Sequence, residues 1–524
     1  MAPLGIGPAA VLLLGSMLFA GCKSGSVSGN VSGAVGVQVE IDGPRRMNTI
    51  TDRDGGFSFT GLPSGQYMLS PSLAGYGFTP RSRQVWLDDD EVSGQDFVGT
   101  GYPGVLDVLF GESGRVIIEP ADAGELAEVG IAGLSIQPDG RIVTVATSTP
   151  SLTEEGLRVS RFLPDGTFDA TFGTRGSTLV ALEGQRCDAR GLALGSDGQI
   201  VLTGSCGSAD DPTYAAAVMV ARLDSDGVLD RGFGDGGMSF TRIRTAGAGL
   251  AVVVQLDGRI VVAGGAGDTS GAPDEVVLLR YLGTGSLDPA FGDGGLATFD
   301  SPGDAFAVAL QADGRIVIAG SARLDGGLDR TFIARYDTSG MLDREFADGG
   351  HVNPAPFPSV SSPIREADYD TAYALALYPD GRILTAGGAF IVDRGESWLV
   401  LTRWTPEGTP DNSLRVPGND PGVVSVPLLF GHVGSGLGVQ SDGKIVAGGY
   451  APRVFAPPGT AALIRCNADG TLDNSFGTFG VATDPDPRAA DVQTLAIQPD
   501  GKIVAGGATA LTYLQGSLVF RVWP

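Results

Sequence analysis

The apolar residues in the last four-fifths of the chain fall in short runs that come in pairs, with a tight turn between the two runs of each pair. Residues 134–136 and 142–145, for example, lie on either side of Pro138-Asp139-Gly140. Pro presets φ for the first turn position, Asp accepts hydrogen bonds from the nearby backbone, and Gly adopts the left-handed conformation. This pattern predicts a β-hairpin rather than a helix.

The hairpin pattern recurs at intervals of roughly 60 residues, somewhat above the ~40–50 residues per blade of familiar propeller repeats. The successive Asp-Gly pairs are Asp139-Gly140, Asp197-Gly198, Asp257-Gly258, Asp313-Gly314, Asp380-Gly381, Asp442-Gly443 and Asp500-Gly501. The chain of 524 residues contains 82 Gly and 32 Pro but only 18% charged residues, which is typical of many short strands joined by turns. We therefore predict an all-β fold.

A second pattern follows the hairpins by about twenty residues and consists of Arg, Gly, Asp and an apolar residue at fixed spacing. Its copies are Arg161-Gly166-Asp169-Phe172, Arg222-Gly227-Asp230-Phe233, Arg280-Gly285-Asp288-Phe291, Arg335-Gly340-Asp343-Phe346, Arg403-Gly408-Asp411-Leu414 and Arg465-Gly470-Asp473-Phe476. One further copy is divided between the two ends of this region: Arg521 stands near the last residue, whereas Gly104, Asp107 and Phe110 stand near residue 100 without an Arg.

Because one repeat is shared by both ends, we predict a seven-bladed β-propeller over residues 100–524, closed by N- and C-terminal strands. A solenoid is the alternative, but it would need distinct capping repeats. We expect each Arg to pair with the Asp eight residues later, so that Arg521 and Asp107 form a structural latch of the ring. The alternative is that the Arg residues face a central channel and bind an anionic ligand.

The two patterns together resemble the delta-60 repeat family of bacterial proteins, whose signature is similar to residues 137–143 followed by Leu229-Asp230 and Phe233-Gly234. The resemblance covers about residues 100–524 and implies a β-propeller with no established activity. Repeat five departs from the signature at Pro410 and Leu414, so we expect a distorted second pattern there.

The N-terminus reads as a targeting segment. Residues 9–19 form an apolar run that is too short for the ~20 residues of a membrane-spanning helix. The sequence Phe19-Ala20-Gly21-Cys22 at the end of this run resembles a bacterial lipobox. The resemblance implies a signal peptide over 1–21, lipidation of Cys22 and a protein that is anchored to the membrane through the lipid. Lys23 in the next position resembles an outer-membrane sorting signal. Ordinary signal cleavage near Cys22 is the alternative.

Two further segments precede the repeats. Residues 22–34 are rich in Gly and Ser, and we predict a tether there. From 35 to 99, Val37, Val39 and Ile41 alternate with other residues, and Phe57 and Phe59 do so after a turn, which predicts strands. This unit resembles carboxypeptidase-regulatory-like or prealbumin-like modules, which implies a small β-sandwich acting as a spacer or binding module.

Charge and residue types exclude several classes of function. The net charge of −25 argues against binding of nucleic acid, which needs clustered Lys and Arg. The only two histidines, His351 and His432, lie in separate repeats, so neither a zinc centre nor a His-based catalytic relay is expected. The glycine-rich loops carry a single Asp each, fewer oxygen ligands than calcium sites gather. We expect no metal, no cofactor and a monomer.

The cysteines allow one disulfide. Cys187 and Cys206 flank the second hairpin, and a two-residue turn at Ser196 and Asp197 would place them opposite each other. A disulfide between them is plausible in an oxidising cell envelope. Cys466 is left without a partner, and we expect it to be buried in its strand.

Function is predicted to lie in the loops that differ between copies. The segment between Gly340 and Gly381 is long and rich in Pro, which suits recognition on a rigid scaffold but also neutral insertion. The main expectation is a non-catalytic, surface-displayed lipoprotein that binds an unknown protein or glycan. The alternative is a hydrolase or lyase of envelope or extracellular glycans. Clustered carboxylates in an axial pocket would favour the enzyme, whereas a filled axis would favour the scaffold.

Overall fold

The computed structural model describes residues 24–88, 90–119, 127–151, 154–181, 184–208, 216–268, 273–299, 301–323, 329–352, 369–391, 396–416, 419–428, 433–451, 460–509 and 516–524. These residues belong to two compact units, Met1–Thr100 and Gly101–Pro524. The regular secondary structure of the described residues is β-strand throughout. No helix in the described part of the chain is long and apolar enough to cross a membrane.

The first unit contains two β-sheets, each with one buried face. Its strands are β1 (Gly25–Ser32), β2 (Gln38–Asp42), β3 (Met47–Ile50), β4 (Gly56–Leu62), β5 (Gly65–Ser72), β6 (Tyr76–Thr79), β7 (Arg83–Leu87), β8 (Glu91–Val92) and β9 (Phe97–Gly101). One sheet has the order β4-β1-β9-β6, with β8 also beside β1, and the other has the order β3-β2-β5-β7. Alternate residues are buried, such as Val39 and Ile41 in β2 and Phe57 and Phe59 in β4, because successive strand side chains point to opposite faces.

The segment predicted as a tether, 22–34, is corrected by the structure, since it contains β1. This strand pairs with β4 on one side and with β8 and β9 on the other. Val27 and Val31 are buried on its inner face, while the intervening Ser and Gly residues give the segment its tether-like composition. The alternation of the apolar residues, rather than the composition, determines the structure here.

The second unit consists of four-stranded antiparallel sheets that follow one another along the chain, and a single parallel bridge between Glu155 and Arg186 joins the first two into one eight-stranded sheet. Sheets 1 to 3 are formed by β11 (Ala127–Ile136), β12 (Ile142–Ser151), β13 (Glu154–Phe162) and β14 (Ser177–Val180); β15 (Gln185–Leu194), β16 (Ile200–Ser208), β17 (Ala217–Leu223) and β18 (Met238–Thr241); and β19 (Ala246–Val254), β20 (Ile260–Gly267), β21 (Pro273–Tyr281) and β22 (Leu296–Phe299).

Sheets 4 to 6 repeat the same meander. They are formed by β23 (Gly303–Leu310), β24 (Ile316–Ala322), β25 (Arg330–Tyr336) and β26 (His351–Val352); β27 (Tyr369–Leu377), β28 (Ile383–Ile391), β29 (Glu396–Trp404) and β30 (Val423–Leu428); and β31 (Val433–Val439), β32 (Ile445–Ala451), β33 (Thr460–Cys466) and β34 (Val481–Thr483).

Sheet 7 joins the two ends of the unit. It has the order β10-β37-β36-β35, formed by β10 (Arg115–Ile118), β35 (Thr494–Ile497), β36 (Ile503–Ala508) and β37 (Ser517–Val522). The pairing of β10 with β37 is antiparallel and runs from Arg115 opposite Phe520 to Ile118 opposite Ser517. An N-terminal strand therefore completes the sheet that the C-terminal strands begin, and the described strands close into a ring.

Apolar side chains of consecutive sheets pack against each other around the ring. One cluster contains Phe172 and Val159 of the first repeat together with Leu202 and Met219 of the second. An equivalent cluster joins sheet 7 to sheet 1, since Ile118, Val504 and Val519 pack with Ile131, Ile142 and Phe162. This burial supplies the main favourable free energy of the fold and removes the sheet edges that an open array would expose.

The hairpin turns have the predicted chemistry. In the last copy the amide of Gly501 donates to the carbonyl of Gln498 at 2.8 Å, and Asp500 Oδ1 accepts from the amide of Lys502 at 3.1 Å. Gly501 has a φ of 85°, which an L side chain rarely adopts. The turn aspartates thus serve to form the turns.

Candidate functional site

The recurring Arg, Asp and Phe side chains form one buried motif in every repeat that has all three. Each Arg donates from Nε to the Oδ2 of the Asp eight residues later, at 2.7–2.9 Å. The guanidinium also lies over the ring of the Phe, with distances of 4.5–4.8 Å to the ring centroid. Because the carboxylate occupies the fork of the guanidinium, these residues hold the blade together and do not present a ring of free cations to a ligand.

The structure brings the predicted latch residues together across the ends of the ring. Arg521 donates from Nε and Nη2 to Asp107 Oδ2 at 2.9 and 2.8 Å, and Lys502 Nζ lies 3.0 Å from the same oxygen. Arg521 also donates to the carbonyl of Pro164 in the first repeat and lies over Phe110 at 4.8 Å. Asp107 is completely buried, so these two cations offset the cost of removing its carboxylate from water.

Repeat five keeps its second pattern intact, so the expected distortion is absent. Asp411 donates its amide to the carbonyl of Arg403 at 2.9 Å, as in the other copies. Leu414 fills the Phe position, and the ring of Tyr378 lies 5.5 Å from the guanidinium of Arg403 instead. Tyr378 stands where most copies have Gln. In this repeat the aromatic partner of the Arg is therefore at the hairpin position of Tyr378 instead of the position of Leu414.

Cys187 and Cys206 are opposite each other in β15 and β16, and their sulfur atoms are 1.96 Å apart. The turn differs from the two-residue loop that the sequence suggested, because Gly195 donates to Gln199 across three intervening residues. A bulge between Ala189 and Gly191 shifts the register back by one residue. Cys466 is buried and free, and burial raises the pKa of its thiol to about 12.

Other predicted residues lie outside the described part of the chain. These are the lipidation candidate Cys22, His432 and residues 353–368 of the Pro-rich segment between Gly340 and Gly381. His351 is described at the start of β26, and its ring contacts that of Phe299 at 5.3 Å. The described residues contain no group of three or more His, Cys, Asp and Glu arranged to hold a metal ion.

The axis of the ring holds a cavity of about 610 Å³. The first strands of neighbouring sheets contact one another all the way around, including β11 with β35, so these strands surround the cavity. Each contributes the residue seven positions before the turn Asp, and these residues are Ala132, Arg190, Leu250, Phe306, Tyr373, Ser435 and Gln493. The lining therefore differs from repeat to repeat, although the backbone that carries it is repeated.

Carboxylates stand two residues before three of these lining residues, at Asp188, Asp304 and Asp491. Asp188 and Asp491 line the cavity. The corresponding position in other copies holds residues such as Ala248 and Thr371. Two acidic groups from different sheets therefore line one cavity, and Asp304 occupies the equivalent strand position of a third sheet, a feature that the repeated motifs do not reveal.

Asp188 is held by donors on both carboxylate oxygens. Arg190 Nε donates to Oδ2 at 2.6 Å, and Ser205 donates to Oδ1 from its amide at 2.9 Å and from Oγ at 2.5 Å. The disulfide between Cys187 and Cys206 is the next pair along the strand ladder from Asp188 and Ser205. Asp188 and Arg190 thus form a charge-neutral, fixed ion pair in the cavity wall.

Asp304 is the axial carboxylate with the most unusual environment. Its Oδ1 lies 1.8 Å from the place that a Cβ on Gly265 would occupy, so it packs against the bare backbone of the preceding sheet. Burial raises the pKa of Asp304 to about 6, the guanidinium of Arg190 acts against this shift, and the carboxylate of Asp329 adds to it. Asp304 is therefore able to carry a proton near neutral pH.

Asp491 offers its second oxygen to the cavity. Oδ1 accepts from the amide of Ala508 at 2.8 Å, whereas Oδ2 has only the side-chain amide of Gln493 at 3.3 Å. No Lys or Arg of the described residues forms an ion pair with it. The rings of Phe306 and Tyr373 lie 5.4 Å apart on another side of the cavity and are tilted by 57°. Aromatic faces with a few directed polar groups are typical of small-molecule sites.

The closed ring of repeated four-stranded sheets around an axial cavity makes this chain a β-propeller repeat protein. The family model described as "Domain of unknown function (DUF5122) beta-propeller" matches residues 137–172, 255–291, 311–346, 440–476 and 498–523, about a third of the chain. Each matched segment contains one hairpin turn and all or part of the second pattern. A comparison with curated proteins finds no significant match.

Several solved propellers are similar in fold at low identity. The chain is 9% identical to a Trypanosoma rangeli sialidase in complex with the inhibitor DANA, with a TM-score of 0.38, covering 76% of this chain and 55% of that one. An ulvan lyase of polysaccharide lyase family PL25 is 11% identical, with a TM-score of 0.41 and coverage of 76% and 95%. The Hadza microbial sialidase Hz136 is 9% identical, with a TM-score of 0.37 and coverage of 96% and 93%. The chain thus spans about half the length of the first sialidase.

The main functional expectation, a non-catalytic binding or scaffolding module that is not an enzyme, is corrected. The solved proteins that resemble the chain are glycan-acting enzymes, in agreement with the alternative. The physical reason lies in the axis, which is open and lined by carboxylates rather than filled. At these identities the likeness concerns the fold, so the axial residues themselves have to carry the argument about chemistry.

Proposed function

We propose that the protein is a glycoside hydrolase whose active site is the axial cavity. The observation that carries this proposal is the cavity of about 610 Å³ lined by the carboxylates of Asp188 and Asp491, with the buried carboxyl group of Asp304 two residues before the lining residue Phe306. Glycosidic bonds are commonly cleaved by two carboxyl groups, one protonated and one ionised. Asp304, with a pKa raised to about 6, has the first property.

Asp304 acts as the general acid in this proposal. It donates its proton to the oxygen of the glycosidic bond as the bond to the anomeric carbon breaks. Asp491 supplies the second carboxylate, as base for the attacking water or as nucleophile, because its Oδ2 accepts only from the Gln493 amide among the residues that the structure describes. Water adds to the anomeric carbon, and the proton that it loses restores the acid by the end of the cycle. General acid catalysis of this kind contributes about 10²–10⁴-fold to the rate.

Hydrolysis fits the cavity better than elimination. A lyase needs a base that removes a carbon-bound proton and a cation that neutralises the carboxylate of a uronic acid. Burial raises the pKa of Tyr373, so its phenol stays protonated, and Arg190 already faces the carboxylate of Asp188. The other basic groups of a lyase are missing from the described lining of the cavity.

The test is a screen of the purified protein against soluble polysaccharides, with new reducing ends as the readout. We expect release of reducing ends from at least one glycan, with an activity that declines as the pH rises above about 6, because Asp304 then loses the proton that it must donate. An activity that increases steadily from pH 5 to 9 would contradict the assignment of Asp304 as the acid.

We also propose that this enzyme is a lipoprotein of the cell envelope, in which lipid attached to Cys22 holds the protein on the outer membrane. The support is the Phe19-Ala20-Gly21-Cys22 sequence after a short apolar run. Such a location would place the axial cavity beside extracellular or envelope glycans. The N-terminal unit of two sheets would serve as the spacer between the anchor and the propeller.

A further inference from the structure

The charges around the axial cavity bear on which sugars it can hold. Arg190 is the only basic residue among the described residues that line the cavity. Its guanidinium faces Asp188, and that carboxylate is fixed in place by both donors of Ser205. The one cation of the lining is therefore already neutralised, and Asp491 adds a negative charge that has no cationic partner among the described residues.

An acidic sugar would meet an unfavourable field in this cavity. A carboxylate on the sugar would lie near Asp491, and its attraction to Arg190 would be offset by the repulsion from Asp188. A neutral sugar has no such cost. Its hydroxyl groups can donate to Asp491 Oδ2 and exchange hydrogen bonds with Gln493, while its apolar ring faces pack on Phe306 and Tyr373.

We propose that the axial site selects neutral glycans and rejects those with carboxylates, and that the Asp188–Arg190 ion pair sets this preference. The inference rests on the proposed function and names the substrate class of the same site. Asp188 is then a specificity-determining residue rather than a catalytic one. Its removal would free the guanidinium of Arg190 to bind a sugar carboxylate, which Arg does well in two-point geometry.

The test measures binding to protein that carries Asp304→Asn, so that turnover is slow. It is done at about pH 5, because the Asp304 carboxyl group is mostly protonated there and the neutral Asn side chain then resembles it. The probes are cellohexaose, maltohexaose and β-1,4-galactotetraose, each compared by calorimetry with its derivative oxidised to a carboxylate at C6. We expect the neutral member of a bound pair to bind more tightly. Adding Asp188→Asn should shift the affinity ratio towards the acidic member by about tenfold or more, the effect of one unit charge at close range in a partly solvated site.

Two further variants complete the test. Asp197→Asn, a turn aspartate of the same hairpin, should leave the ratio unchanged, and Arg190→Gln should not favour the acidic member. Two results would overturn the inference. One is tighter binding of the oxidised member when Asp188 is present. The other is an affinity ratio in folded Asp188→Asn protein that equals the ratio in Asp197→Asn. If neither member of any pair binds, the proposed function itself fails. Binding of both members with the wrong preference leaves the function and removes only the specificity.

Discussion

The closure of the ring can be tested by removing one cation from the latch. In Arg521→Met the side chain keeps most of its apolar length but loses the ion pair with Asp107, which is completely buried. Breaking a buried pair by removal of one partner costs about 3–5 kcal/mol. Lys502 still lies 3.0 Å from Asp107, so we expect a value near the lower end, about 3 kcal/mol, out of the 5–15 kcal/mol typical of native proteins.

The chain offers a closely matched control in Arg280→Met. Arg280 donates to Asp288 from Nε at 2.9 Å, lies 4.5 Å from the Phe291 ring, and shares the carboxylate with a second cation, Arg259, at 3.0 Å. The local loss is therefore the same. The difference is that Asp288 follows Arg280 by eight residues, whereas Asp107 and Arg521 are 414 residues apart and join the two ends of the ring.

Urea unfolding and hydrogen exchange by mass spectrometry distinguish the two variants. We expect similar losses of unfolding free energy, about 3 kcal/mol in each, but only Arg521→Met should speed exchange selectively in β10 and β37. The reason is that the ladder between these strands has four residue pairs and no covalent turn to hold it. If β10 and β37 exchange no faster in Arg521→Met than in Arg280→Met, the pair is an ordinary repeat interaction and the latch hypothesis is wrong.

Two other predictions concern cysteines. Replacing both Cys187 and Cys206 by Ala should lower the free energy of unfolding by about 3 kcal/mol, the value for closing a loop of similar length. A reducing agent should destabilise the wild-type protein to the same extent. An unchanged denaturation midpoint under reduction would show that the disulfide contributes nothing to stability. Expressed in a bacterial host, Cys22→Ser should abolish labelling of the protein by radioactive fatty acid and release the protein from the membrane fraction, whereas Cys466→Ser should leave labelling intact. Persistent labelling of Cys22→Ser would exclude Cys22 as the lipidated residue, and an unlabelled wild-type protein would exclude the lipid anchor.

The fold of the second unit could be predicted from the sequence because its determinants are local and repeated. Each turn depends on an Asp and a Gly in adjacent positions, such as Asp500 and Gly501, whose roles follow from backbone chemistry alone. The closure of the ring could be predicted because a motif with fixed internal spacing is divided between Arg521 and Asp107. Neither step required knowledge of the tertiary structure.

The first strand of the N-terminal unit was missed for a physical reason. Gly and Ser dominate residues 22–34, and such a composition normally gives a flexible chain. The burial of Val27 and Val31 between neighbouring strands outweighs that tendency. A period of two or four between apolar residues is a weak signal when only two of them are present.

The axial site was missed because it lies in positions that do not repeat. The repeated motifs hold residues with structural roles, as expected for the Arg-Asp pairs and the turn aspartates, and they contain none of the axial carboxylates. The informative signal was the variation at one register position, where Asp188, Asp304 and Asp491 replace the neutral residues of other copies. That Asp188 and Asp491 line one cavity, and that Asp304 is buried against Gly265, depends on the ring geometry, which no local pattern contains.

Catalysis with Asp304 as the general acid is tested by the rate of glycan hydrolysis in the variant Asp304→Asn. The matched control is Asp313→Asn, the same substitution at the turn that ends the same strand, where the side chain is exposed. We predict that Asp304→Asn lowers kcat by about 10²–10⁴-fold without loss of folding, while Asp313→Asn retains the wild-type rate. Equal rates for the two variants on a glycan that the wild-type protein hydrolyses would contradict the account.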